Sequence, residues 1–172
     1  MTQELIDLRN CILEQRYSDA LAIVDELEGM SKQAIIRNIL SFVNILLIHL
    51  IKNQIEERLT NSWATSIRNS IMEIHKLNLK ENKKSYYVDV DEWEDLILEE
   101  VIEKAIADAS DEVLNGAYNQ FQLEEMIDKT ELIAKGCQFL SLTYEHSAKT
   151  LPKAIAEVLI QLPGGESWFY RK

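Results

Sequence analysis

Glycine and proline are scarce, at five and two in 172 residues. Sandwiches and barrels need many tight turns, and these residues build most of them. The shortage argues against an all-β fold and makes an all-α one the expectation. Cysteine is equally sparse. Cys11 and Cys137 lie far apart, and neither belongs to a Cys-x-x-Cys pair. That excludes a disulfide framework and fits a reducing cytoplasm. MTQELIDLRN has no basic stretch leading into an apolar run, so no secretory leader is expected. Long apolar runs are missing too. The segment NILSFVNILLIHLI (38–51) is uncharged for 14 residues but includes two asparagines, a serine and a histidine. A bilayer span needs about 20 mostly apolar residues, so this stretch reads as a buried helix and no membrane association is expected.

Several chemistries lack their signatures. There is no Gly-x-Ser-x-Gly elbow, and Pro163-Gly164-Gly165 is a helix stop rather than a phosphate-cradling loop. Helical di-iron proteins use Glu-x-x-His. Here the residues three before His49, His75 and His146 are Leu46, Met72 and Thr143. No catalytic residue, metal or cofactor is therefore expected, and the reading leans away from an enzyme.

Basic charge is nearly absent from one region. Between Asp89 and Glu112 stand eleven carboxylates against Lys104 alone, a net of −10 in a chain whose total is −11. Arg58 to Lys84 holds six basic and two acidic residues, with Lys76, Lys80, Lys83 and Lys84 leading into Tyr86 and Tyr87. Interleaved basic and aromatic groups suit single-stranded nucleic acid, but the adjoining acidic stretch opposes phosphate binding. The sequence argues against nucleic acid. The basic run reads as a complement to the acidic one, within a molecule or between two.

What is present is helical periodicity. Leu5, Leu8, Ile12 and Leu13, then Leu21, Val24 and Leu27, form a hairpin expected to stop at Gly29. A central helix is expected from about 32 to 58, with Ile35, Ile39, Phe42, Leu46, Leu47 and Leu50 on one face. Ile45 and Ile48 make it apolar nearly all round, as in the middle of a bundle. On the same wheel His49 and Asn53 point inward as an i, i+4 pair, while Lys52 and Glu56 point away. Asn61 or Ser62 caps the next helix, whose stripe is Trp63, Ile67, Ile71, Ile74 and Leu77. Tyr86, Val88 and Val90 alternate as a short extended piece. Asp91 caps a helix striped by Ile97, Val101, Ala105, Asp108 or Ala109, and Val113. Thr130 caps another, with Ile133, Cys137, Leu140 and Tyr144 in line, and Pro152 opens the last. The expectation is one all-α bundle over residues 1–172, with six to eight helices and a flexible tail from 163 to 172.

HLIKNQ, the downstream Arg58 and NSWATSIRNSI give the segment 29–77 a likeness to a known family. It resembles the bacterial family, abundant in cyanobacteria, catalogued as domain of unknown function 29. The family's features map to His49, Leu50, Ile51, Lys52, Gln54, Ser62, Trp63 and Ile67. Where the family often has an aromatic before the glutamine, this chain has Asn53, and the family's terminal Cys-Pro signature is absent. The resemblance implies an all-helical cytoplasmic bacterial protein and no particular activity.

Two functional readings follow. In one, the protein is an interaction module, an adaptor or inhibitor of a basic partner or a homo-oligomer, with Glu92, Asp95, Glu99 and Glu103 as its contact surface. In the other, His49, Asn53, Gln54 and Arg58, with Trp63 beside them, bind a small ligand or catalyse. An open cleft at the cluster favours the second; a closed, internally bonded cluster favours the first.

Overall fold

The computed structural model describes residues 1–171; Lys172, the end of the expected tail, lies outside them. The chain is all-α, 78% helical. Among the described residues β pairing is limited to an isolated bridge between Leu79 and Tyr86. The chain divides into two compact units, Met1–Arg37 and the residues from Asn38 onward.

The first unit is the expected hairpin. Helix α1 (Gln3–Leu13) turns through Gln15, at φ 61°, into the start of α2 (Tyr17–Glu56). Cys11 and Ala20 are its buried hydrophobic residues. The expected stop at Gly29 does not occur, and α2 continues unbroken for 40 residues. Glycine ends a helix by taking a left-handed φ just past the last turn, which Gly29 does not do. It stays helical at a cost of about 1 kcal/mol relative to alanine, and a Cβ there would meet nothing within 4 Å.

In the second unit, Ile39, Val43, Leu46, Leu47, Leu50 and Ile51 of α2 are buried. Among the described residues one helix, α2, is long and apolar enough to cross a membrane; within its stretch from Ile39 to Ile51 the residues just named and Ile48 are buried, while Ser41 and Ile45 are exposed. Around it stand α3 (Asn61–Asn78), α7 (Lys129–Glu145) and α8 (Leu151–Gln161), which pack on one another. The α3 stripe buries Trp63, Ile67, Ile71 and Ile74; each such side chain contributes roughly 1.5–3 kcal/mol. Gly136 lets α7 approach α2 closely, since a Cβ there would lie 3.2 Å from Leu47 Cδ2.

Thr60, not Asn61 or Ser62, caps α3, its Oγ1 accepting from Trp63 N at 3.1 Å. Asp128, not Thr130, caps α7 through Glu131 N. Residues 79–92 form no strand. They are held by Asn78, whose side-chain amide pairs with the Val88 backbone in both directions, at 2.8 and 2.9 Å. Tyr144 completes this network, donating to Val88 O and accepting from Trp93 Nε1. Burial pushes its phenol up to about 12.

The acidic helix differs from the expected one. Asp91 lies inside a 3-10 turn (Val90–Glu92). Helix α4 (Trp93–Leu96), a π turn (Ile97–Val101) and α5 (Ile102–Ser110) follow. A π turn inserts one residue into the helical register. Val101 and Ile102 are therefore both buried; the expected stripe of Ile97, Val101, Ala105, Ala109 and Val113 is buried throughout, and Ile102 and Ile106 join it. A left-handed turn at Leu114, Asn115 and Gly116 leads towards α6 (Gln120–Met126). The expected flexible tail instead contains α9 (Gly165–Phe169), with Gly165 buried.

Candidate functional site

The polar cluster closes the C-terminal end of α2. That helix ends at Glu56, and Glu57 takes φ 51°, the left-handed conformation that stops helices. The chain turns through Arg58 and Leu59 to the Thr60 cap and Trp63.

Asn53 is 2% exposed. Its Nδ2 donates to Arg58 O at 3.0 Å and to Pro163 O at 2.8 Å. Gln54 forms an amide pair with the backbone of Asp128: Nε2 donates to the carbonyl at 3.2 Å and Oε1 accepts from N at 2.9 Å. The two amides thus tie the end of α2 to the α8–α9 turn and to the start of α7. Gly164 completes the closure. Its φ is +73°, and a Cβ would lie 2.8 Å from both Arg58 Cα and Leu59 N.

Two residues expected to point away are enclosed. Lys52 is 7% exposed, its Nζ 3.3 Å from Glu112 Oε1 and 4.8 Å from the centre of the Trp63 ring. The Glu56 side chain is 8% exposed and pairs with Arg58 at 3.0 Å. The Arg58 guanidinium lies 4.7 Å from the same ring. Trp63 therefore carries two cations, each neutralised by a carboxylate. The wheel placed Lys52 and Glu56 on a polar face, but α2 is enclosed on that side as well. The partner Glu112 lies 60 residues away, beyond any helical pattern.

His49 and Asn53 share a side of α2 but form no mutual hydrogen bond. His49 Nδ1 is buried without a hydrogen-bond partner. Burial, then the Lys52 cation, pushes the ring down to about 4, with Glu112 opposing. His49 is neutral at physiological pH.

Beside this junction lies a cavity of about 30 Å³, bounded by Asn53, Gln54, Lys135 and Pro163 among others. That is room for water rather than for an organic ligand. Among the described residues, no group of three His, Cys, Asp or Glu side chains is placed to hold a metal ion. Cys137 is half-buried, and burial pushes its thiol up, away from the thiolate that nucleophilic chemistry needs.

The second candidate surface is open. Glu92, Asp95, Glu99 and Glu103 are all exposed along the 3-10 turn, α4, the π turn and α5, as are Asp91, Glu94 and Glu100. Glu103 also borders a cavity of about 170 Å³ with Glu124, Gln120, Ile106 and the exposed Phe121 of α6. Phe121 and Glu124 were not singled out from sequence. Phe121 sits in the first turn of the short helix α6 and carries no periodic signal, so only the packing of α6 on α5 brings it to the acidic face.

No family model, curated protein or solved structure matches the chain. The geometry of these two surfaces is thus the ground for any functional reading.

Proposed function

We propose that the protein is a non-enzymatic interaction module that binds a basic partner through the face formed by Glu92, Asp95, Glu99 and Glu103. The observation that carries this reading is the Glu103–Phe121–Glu124 cavity within an exposed acidic surface. Glu124 is paired with Lys129, so the Glu103 carboxylate beside the Phe121 ring is the group that accepts a lysine or arginine side chain, by charge and by cation–π attraction. Such complementarity raises association rates and selects partners by charge. The competing reading, a ligand site at His49, Asn53, Gln54, Arg58 and Trp63, has less support. Asn53, Gln54 and Arg58 are engaged within the fold, and the adjacent cavity is water-sized. The likeness to domain of unknown function 29 belongs to this proposal and rests on residues 29–77 alone. A cytoplasmic location belongs to it also and rests on the unpaired cysteines.

Calorimetric titration with an arginine- and lysine-rich peptide tests the reading. Wild type binds, more weakly as salt rises. Phe121→Ser and Glu103→Gln each weaken binding about tenfold. Equal affinity in all three proteins, or none in wild type, counts against the site.

A further inference from the structure

Two lysines stand at the acidic face, and they are engaged differently. Lys104 belongs to the acidic stretch itself. Its Nζ lies 2.6 Å from Asp108 Oδ2, which also accepts from Asn44 Nδ2. Asp108 does not border the Glu103–Phe121–Glu124 cavity. Lys129 comes from outside the stretch. It is the first residue of α7, and its Nζ meets Glu124 Oε1 across the turn that joins α6 to α7. Glu124 does border the cavity. The fold thus places an internal cation on one of the two carboxylates there.

We infer, resting on the reading of that face as a partner site, that Lys129 sets its affinity by occupying Glu124, and that without this charge the cavity offers a basic partner two carboxylates in place of one. Helix α7 gives the cation no reason to be there. The N-terminus of a helix is the positive end of its dipole and repels an ammonium in the first turn. The cap is already made by Asp128, which accepts from Glu131 N. What holds Lys129 is Glu124. The hold is weak, because the two side chains are 42% and 43% exposed, and ion pairs so open to water contribute little. They separate without disturbing the core. A carboxylate held by an internal ammonium gains little from a second cation, whereas a free one gains a full charge contact. With Glu124 released, a guanidinium in the cavity meets one carboxylate from α5 and another from α6, beside the Phe121 ring. Charge-assisted hydrogen bonds to both are the stronger arrangement.

The test titrates the full chain with the arginine- and lysine-rich peptide. Lys129→Gln binds about fourfold tighter than wild type, the weight of one partly exposed charge contact, and the gain shrinks as salt rises. Glu124→Gln alone stays within about twofold of wild type, because its charge is already met. Combined with Lys129→Gln, it returns the affinity to the wild-type value, which isolates the pair. Lys129→Arg keeps the charge and binds no tighter than wild type. Lys104→Gln removes the same single charge at Asp108 and gains less than half as much. Helical circular dichroism is unchanged throughout. If wild type binds and Lys129→Gln binds no tighter, the role of Lys129 is overturned and the reading of the face stands; a lower melting temperature in that case identifies a staple of α6 on α7. An equal gain in Lys104→Gln also overturns it, since net charge alone then explains the effect. So does a gain that survives Glu124→Gln. If neither wild type nor Lys129→Gln binds, the reading of the face itself falls, and the role of Lys129 with it.

Discussion

Asn53 Nδ2 and Pro163 O lie 2.8 Å apart, joining positions 110 residues distant in the chain. The same amide nitrogen holds Arg58 O, so one buried side chain fixes both the end of α2 and the turn between α8 and α9. Asn53→Ala is expected to destabilise by about 2–4 kcal/mol, because buried carbonyls lose their donor. Asn53→Asp is expected to be worse at neutral pH, since a carboxylate then faces two carbonyl oxygens. Urea melts of the three proteins decide it. A variant Asp that matches wild type would show that this amide is not the tie.

Gly164 and Gly29 should respond in opposite directions. Gly164→Ala places a Cβ 2.8 Å from the Arg58 and Leu59 backbone at φ +73°, and is expected to destabilise by on the order of 3 kcal/mol. Gly29→Ala meets nothing and is expected to stabilise by about 0.5–1 kcal/mol. Thermal melts of both variants check the pair, and a destabilised Gly29→Ala would contradict an exposed helical glycine.

These residues show what was legible in the sequence. The α3 stripe of Trp63, Ile67, Ile71 and Ile74 was, because four apolar residues at helical spacing leave no other face to bury. The inward placement of Asn53 followed from the same wheel. The caps were displaced by one to two residues. Thr60, Asn61 and Ser62 are all good capping residues, and only backbone conformation selects among them. Lys52 and Glu56 were misplaced because a wheel cannot show that a helix is enclosed on its polar side by a residue as remote as Glu112. The π turn was invisible, since Ile97, Val101, Ala105 and Ala109 satisfy an uninterrupted helix equally well. The Pro-Gly-Gly stretch read only as a helix stop. Its second role, backbone contact with Arg58 and Leu59, depends on tertiary structure.

His49 gives a pH dependence. Its folded value is about 4 against an ordinary 6.5, so the folded state binds fewer protons than the unfolded state between these limits. The contribution is complete above pH 6.5 and is lost as pH falls toward 4. In His49→Leu this part of the acid sensitivity should disappear. At pH 8 the variant should match wild type or exceed it by about 1 kcal/mol, since the unpartnered buried Nδ1 is gone. Stability of both proteins measured from pH 8 to 4 tests this; parallel curves would mean that His49 titrates normally.

The most direct test of the acidic interaction surface is affinity capture from the native cell at physiological ionic strength, with mass spectrometry of what is retained. Wild type is compared with a variant carrying glutamine at Glu92, Asp95, Glu99 and Glu103. These side chains are exposed, so the substitutions remove charge and leave the core intact. The account predicts that wild type retains a basic protein, released by high salt and absent from the variant eluate. The same proteins retained by both, or none of them basic, would contradict it.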